Sequence, residues 1–209
     1  MNEVYPDNTP VVQQQPPRSR FKSITSTAVV FLAAPLLALF LTAFVFQSYQ
    51  VDGPSMQETL HNNDRLIVLK LSRTIARVTH RTYMPKRYDI IIFNSESILD
   101  PLSGKSKQLI KRVIALPGER VIVQDNKVVV INKEHPEGFS PDSGQDYQKN
   151  LPPVSPGDVN LTVPDDQVFV MGDNRINSED SRYFGPVPAH DIVGRLVLRI
   201  FPIGNAKSF

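Results

Sequence analysis

One uninterrupted apolar run near the N-terminus constrains the fold of this 209-residue chain more than any other feature. The run is AVVFLAAPLLALFLTAFVF, residues 28–46, and it contains no charged residue. As an α-helix at 1.5 Å per residue it would span roughly 28 Å, close to the ~30 Å hydrocarbon core of a bilayer. We therefore predict a single transmembrane anchor at residues 27–48, preceded by a polar, disordered tail at 1–26 and followed by a domain at 49–209.

Two alternatives to an anchor can be weighed for this run. A buried core helix would need other long apolar segments around it, and the sequence contains none. A cleavable signal peptide has a shorter apolar core, about 7–15 residues, followed by a small-residue cleavage site that is missing here.

The flanks of the run predict its orientation. Arg18, Arg20 and Lys22 precede it, whereas the first basic residue after it is Arg65. The positive-inside rule then predicts a cytoplasmic N-terminus, a single pass through the plasma (inner) membrane, and a domain on the far side.

Composition excludes several classes of site. The chain has no cysteine, which excludes a thiol nucleophile, a disulfide framework and a zinc–thiolate centre. Its 23 basic and 21 acidic residues nearly cancel, and no basic block marks a nucleic-acid-binding surface.

Eighteen prolines and ten glycines, with few helical patterns, favour a turn-rich, mainly β domain.

Apolar or alternating segments separated by turn residues predict the strands of that domain. They are residues 66–71, 90–93, 108–116, 120–124, 128–131, 168–171 and 194–200. Asp125-Asn126 predicts a hairpin turn between two of them. The polar, proline-rich stretch 132–160 predicts a long surface excursion rather than core.

The first segment that could carry chemistry is GPSMQETL, residues 53–60. Ser55 lies a few residues beyond the predicted anchor, in a turn shaped by Gly53 and Pro54. Its hydroxyl would need a base to become nucleophilic. A lone Gly-Pro-Ser sequence is more often an ordinary surface turn.

The segment KRVIALPGERV, residues 111–121, offers that base. In a strand, Lys111 shares a face with Leu109 and Val113. Apolar burial disfavours the charged amine, so Lys111 could act as a base if its pKa fell from ~10.4 to about 8. On an edge strand the same lysine would simply face solvent.

The segment GDNRINSEDSR, residues 172–182, is dense in hydrogen-bonding residues. A calcium-binding loop counted from Asp173 fails, because Ser178 replaces the required glycine and Phe184 replaces the required glutamate. We interpret the segment as a support for the site.

Histidine is a rival base, because His61 lies six residues from Ser55. None of the four histidines stands in a recognisable motif, and a Ser–His pair is identified by geometry rather than by sequence.

Taken together, these segments resemble the bacterial type I signal peptidases, or leader peptidases. The resemblance covers roughly residues 20–200 and rests on four boxes in the expected order. They are Ser55-Met56; Arg87-Tyr88-Asp89; Lys111-Arg112-Val113 leading to Pro117-Gly118-Glu119; and Gly172-Asp173-Asn174-Arg175 with Ser178, Asp180, Ser181 and Arg182.

The resemblance implies a serine endopeptidase that removes N-terminal signal peptides from exported preproteins, without a metal or another cofactor. Ser55 would attack the scissile carbonyl and Lys111 would take its proton. Ser178 would orient the lysine, and Asp180 and Arg182 would form a supporting pair.

The resemblance also implies a fold and a substrate groove. The fold would be a mainly β catalytic core with a smaller β insertion at about 124–165, behind a single transmembrane helix. The groove would be lined by Tyr49, Val51, Met56 and Ile110.

Two positions differ from the family pattern. Gly53 stands where some members carry an oxyanion-binding serine, so backbone N–H groups, including that of Ser55, would have to serve. Glu58 stands where the family usually has proline. Two other functions stay open: a related Ser/Lys peptidase with a specialised substrate, and a non-enzymatic, membrane-tethered β domain.

Overall fold

The structure, a computed structural model, describes residues 20–57, 59–79, 82–99, 104, 106–148 and 154–209. Residues 1–19 of the predicted tail, Glu58 and His80 lie outside the described residues. By its internal contacts the chain divides into two units, Met1–Leu39 and Phe40–Phe209.

The apolar run is helical over most of its length. Helix α1 (Arg20–Phe40) contains Pro35 and is followed by a π-helical turn (Leu41–Val45). Over the described residues, no helix combines the length and the apolar character that a bilayer crossing requires. The anchor at 27–48 therefore stays a prediction. Its last three residues belong to strand β1 instead, because Phe46 to Gln50 pair with β2, Arg65–Leu69.

The domain that follows is mainly β, as predicted. After β1 (Phe46–Gln50) and β2 (Arg65–Leu69) come helix α2 (Leu71–Val78), β3 (Ile90–Leu99), β4 (Ser106–Ala115), β5 (Arg120–Gln124), β6 (Lys127–Ile131), β7 (Val159–Thr162), β8 (Gln167–Met171), helix α3 (Ser181–Phe184), β9 (Val187–Pro188), β10 (Ile192–Phe201) and β11 (Lys207–Ser208). The larger sheet has the strand order β1-β2-β10-β3-β4-β8-β9, with β11 paired to β10, and its pairs are antiparallel.

The smaller sheet has the order β6-β5-β7, and its strands lie between Arg120 and Thr162, a range that overlaps the insertion expected at about 124–165. Asp125 and Asn126 form its hairpin turn, with φ of +50° and +61°, the left-handed conformation that a two-residue hairpin needs. The sheet begins at Arg120, before the predicted boundary at 124. Strand β7 begins at the end of the stretch predicted as a surface excursion and continues to Thr162, and its alternating half-buried and exposed residues pair with β5.

The region after β2 also differs from the prediction. The strand predicted at 66–71 runs from Arg65 to Leu69, and α2 begins at Leu71. Its sequence, LSRTIARV, places apolar residues at i, i+4 and i+7, which is a helical spacing.

A cluster of buried apolar side chains fixes the loop between β1 and β2 against the larger sheet. Met56, Leu60 and Leu66 have no exposed surface, and they pack with Ile90 and Leu196. Burying side chains of this size contributes roughly 1.5–3 kcal/mol each, so residues 51–64 form a firmly held loop. This loop carries Ser55.

Candidate active site

Backbone hydrogen bonds close the loop that presents Ser55. The Val51 N–H donates to Asp64 O at 2.9 Å, and the Asn63 N–H donates to Val51 O at 2.9 Å. Gly53 has a φ of +98°, a conformation that a side chain would strain, so glycine is required at this turn. The loop thus holds Ser55 two residues after a backbone turn that only glycine adopts readily.

Lys111 reaches Ser55 from strand β4. Its Nζ lies 3.0 Å from Ser55 Oγ and 3.1 Å from its neighbour's carbonyl, Ile110 O. Only 3% of Lys111 is exposed. Burial lowers the pKa of the Lys111 amine to about 8, although the carboxylates of Asp180 and Glu179 partly oppose this shift. The amine and the hydroxyl are therefore in contact, and burial makes this amine easier to deprotonate than a solvent-exposed lysine.

The Asp180–Arg182 pair also forms, with both side chains fully buried. Arg182 Nε donates to Asp180 Oδ1 at 2.8 Å, and Arg182 Nη2 donates to Asp180 Oδ2 at 2.9 Å. Asp180 Oδ2 also accepts from the Gly172 N–H at 2.9 Å, so the pair joins the end of β8 to helix α3.

Ser178 differs from the prediction. Its Oγ is buried and has no hydrogen-bond partner among the described residues, so the predicted bond to Lys111 is not formed. A β-carbon added to Gly172 would lie 2.2 Å from Ser178 Oγ and 2.5 Å from Ser55 O. Ser178 Oγ and the backbone oxygen of Ser55 therefore both pack against Gly172. They can approach this closely only because glycine has no β-carbon.

An open groove of about 630 Å³ runs beside Ser55 and Lys111. Three of the four predicted groove residues line it, namely Tyr49, Val51 and Ile110. Met56 does not: its side chain is fully buried in the core beneath the loop, because residue 56 turns inward where residue 55 turns outward.

Comparisons with known proteins identify the family of this chain. The family model described as signal peptidase, peptidase S26, matches residues 24–201. The chain belongs to the peptidase S26 family of signal peptidases. It is 35% identical to the probable signal peptidase I-2 of Synechocystis sp., over 91% of this chain and 78% of that protein. It is 36% identical to the signal peptidase I of Bacillus caldolyticus, over 82% and 88%.

A solved structure gives a further match within the signal peptidases. The signal peptidase I of Enterococcus faecalis V583 is 31% identical, with a TM-score of 0.42, over 56% of this chain and 99% of that one.

The histidines of this signal peptidase family member are less suited than Lys111 to act as the base. His61 is exposed, and the side chains of His135 and His190 are 50% and 78% exposed. Solvated imidazoles at these positions lack the burial that Lys111 has.

An ion pair that the sequence did not predict involves Arg112, the residue after Lys111 in β4. Arg112 forms two hydrogen bonds to Asp173, from Nε at 2.8 Å and from Nη2 at 2.7 Å, and Asp173 is fully buried. Thr59 Oγ1 donates to the same carboxylate, and the Tyr147 ring stacks under the guanidinium at 4.2 Å. Strand alternation puts Arg112 on the face of β4 opposite Lys111, but the sequence does not show that Asp173 is its partner.

A second missed pair joins the 132–160 stretch to the site. The buried guanidinium of Arg175 contacts both carboxylate oxygens of Asp142, and its Nη1 lies 3.0 Å from Ser155 Oγ. Arg175 Nε donates to Gly172 O at 3.0 Å. The predicted surface excursion is therefore partly internal and supports the segment 172–182.

Proposed function

We propose that this chain is a membrane-bound serine endopeptidase that removes N-terminal signal peptides from exported preproteins, with Ser55 as nucleophile and Lys111 as general base. The observation that carries the assignment of residues is the 3.0 Å contact between Lys111 Nζ and Ser55 Oγ in a buried setting. Family membership and the names of the relatives support the reaction.

The first step needs Lys111 without its proton. As Ser55 Oγ attacks the scissile carbonyl carbon, its proton passes to Lys111 Nζ, and a bond forms between Oγ and carbon. The ammonium then gives the proton to the departing amine nitrogen as the peptide bond breaks, which leaves an acyl-enzyme. Water activated by the same amine releases the signal peptide and regenerates Ser55.

The oxyanion of the tetrahedral intermediate needs hydrogen-bond donors. Within the described residues, the Ser55 backbone N–H donates no hydrogen bond, so it is available for this task. Gly53 contributes no side chain, and we assign the oxyanion contact to the Ser55 N–H. A single such donor is worth roughly 10²–10³ in rate.

The groove is suited to an extended peptide with small apolar residues before the cut. Tyr49, Val51 and Ile110 give it apolar walls next to the reacting pair. Residues 106 to 111 of β4 also line the groove and offer backbone groups along its length.

We assign supporting roles to Ser178, Asp180 and Arg182. The buried Ser178 hydroxyl has no partner among the described residues, and an unsatisfied buried hydroxyl is costly, about 1–3 kcal/mol. We propose that it turns toward Lys111 when the amine loses its proton. The Asp180–Arg182 pair fixes the backbone on which Ser178 and Gly172 lie.

The membrane part of the proposal rests on the apolar run at 28–46. We propose that it anchors the chain in the plasma (inner) membrane by a single pass, with a cytoplasmic N-terminus and an extracytoplasmic catalytic domain. This location matches substrates that are exported across the same membrane.

The decisive experiment is cleavage of a purified preprotein by the full chain in detergent, with N-terminal sequencing of the product. Ser55→Ala, Lys111→Ala and Lys111→Arg should each abolish cleavage, because arginine stays charged and cannot accept the proton. Ser143→Ala and Lys127→Arg, at exposed positions outside the groove, are the matched controls and should cleave normally. Cleavage by any of the three site variants at the wild-type rate would refute the Ser–Lys mechanism.

A further inference from the structure

Helix α2 has its apolar stripe on the outside. Leu71, Ile75 and Val78 follow the i, i+4, i+7 spacing of one helical face, and they are 37%, 52% and 75% exposed. In a helix packed on a water-soluble domain, this stripe faces the core. The orientation of α2 is the reverse.

Polar contacts hold α2 in this orientation. Arg73 Nη2 donates to His190 O at 3.1 Å, and Thr74 Oγ1 donates to Phe44 O at 3.2 Å. The side of the helix that faces the domain is therefore attached by hydrogen bonds, and the apolar stripe is left toward the surroundings.

The same helix lies where the apolar run ends. The Lys70 N–H donates to Val45 O at 2.7 Å, and Lys70 Nζ lies 3.1 Å from Ala43 O. Phe44 and Phe46 are 49% and 37% exposed and add two aromatic rings at this end of the domain. The start of α2 is thus fixed to the last residues of the run.

We propose that the stripe of Leu71, Ile75 and Val78 docks into the outer interface of the bilayer, an inference that rests on the membrane anchor proposed above. Interfacial helices of this kind bury their apolar face roughly 5–10 Å into the boundary between headgroups and acyl chains. The exposed rings of Phe44 and Phe46 would enter the same interface, where aromatic residues are enriched.

The size of the stripe favours lipid over a second protein chain. Stable protein interfaces bury about 800 Å² on each partner, far more than three side chains of an eight-residue helix provide. A helix attached to an anchor needs little affinity of its own, because the anchor keeps it at high effective concentration beside the bilayer.

Docking of α2 would set the height of the substrate groove. Strand β1 runs from Phe46 at this patch to Tyr49 in the groove, a rise of about 10 Å over three residues. With both the anchor and α2 at the interface, the domain cannot rotate freely about its tether, and the groove stays at one distance from the membrane surface.

The test uses the absence of tryptophan from the chain. Ile75→Trp places a single reporter on the stripe, and Lys127→Trp places one on the distant hairpin as the matched control. Each full-length variant is reconstituted into vesicles of phosphatidylcholine and phosphatidylglycerol, with or without bromine on the acyl chains. We expect brominated lipid to quench the fluorescence at position 75 and not at position 127.

Equal quenching at the two positions, or none at position 75, would overturn the docking proposal. Vesicle flotation of the same samples reports on the anchor separately, since a chain that fails to float would refute the anchor and docking together. Cleavage of a short soluble peptide in detergent reports on the peptidase, and Ile75→Asn should leave that rate unchanged while it lowers preprotein cleavage in vesicles. Unchanged vesicle cleavage by Ile75→Asn would show that docking does not position the groove.

Discussion

Gly172→Ala is a small substitution that should have a large effect on the reaction. The added β-carbon would lie 2.2 Å from Ser178 Oγ, 2.6 Å from Ser178 Cβ and 2.5 Å from Ser55 O. Ordinary contact begins near 3.4 Å, so the Ser55 backbone and Ser178 must each move by about 1 Å. One of these neighbours is backbone, which cannot rotate away as a side chain can.

The magnitude follows from that displacement. A misplacement of about 1 Å at a reacting group costs on the order of 10² in rate. This corresponds to about 2.7 kcal/mol of activation free energy. Overpacking in a tight site also lowers the free energy of unfolding, typically by 1–3 kcal/mol. Activity should therefore fall by about a hundredfold in protein that still folds.

The assay compares three glycine variants under identical conditions. Gly194→Ala is the matched overpacking control, because its β-carbon would lie 2.5 Å from Leu69 O and 2.8 Å from Val68 Cγ1, away from Ser55. Gly204→Ala has no heavy atom within 4 Å of the added carbon and controls for the substitution itself. For each variant, kcat is measured on a preprotein, and unfolding is followed by circular dichroism.

The expected pattern separates stability from catalysis. Gly172→Ala and Gly194→Ala should both lose stability, whereas only Gly172→Ala should lose kcat in the folded fraction. A Gly172→Ala enzyme with the wild-type kcat would refute the claim that Gly172 sets the position of Ser55.

A change of pH and three further substitutions test the site and its supports. Burial lowers the pKa of Lys111 from 10.5 to about 8, so kcat should rise with pH through about 8, and a flat profile would contradict a lysine base. Below pH 8 that amine is charged and buried in the native state, and between pH 8 and 10.5 the unfolded chain binds more protons. Wild-type stability therefore rises over that window, and Lys111→Met should be more stable than wild type at pH 7 by up to about 3 kcal/mol, with the difference shrinking toward pH 10.5. Arg182→Leu leaves a buried carboxylate unpaired and should cost about 3–5 kcal/mol in chemical denaturation, whereas the exposed control Glu137→Gln should leave the midpoint unchanged. Met56→Ala should lower the free energy of unfolding by about 2–5 kcal/mol without changing which preproteins are cut. An altered cleavage preference in a stable variant would show that Met56 contacts the substrate after all.

The contact that carries the proposed chemistry was predictable only through resemblance to a family. Ser55 and Lys111 are 56 residues apart, and each is unremarkable in its own segment. The order of the boxes suggested that they meet, but neither periodicity nor spacing could give a distance. The same limit explains the miss at Met56, since the sequence does not show which of two adjacent loop residues turns inward.

Short windows of the sequence are enough to predict the features that depend on a local pattern. The apolar run, the alternating strands and the Asp125-Asn126 turn all follow from the residues within them, because period and turn chemistry are local properties. The tertiary structure alone decided the burial of Lys111, and with it the pKa of the amine near 8. The tertiary structure also decided the pairing of Arg112 with Asp173 and the outward orientation of the α2 stripe. Both depend on contacts between segments that are far apart in the sequence.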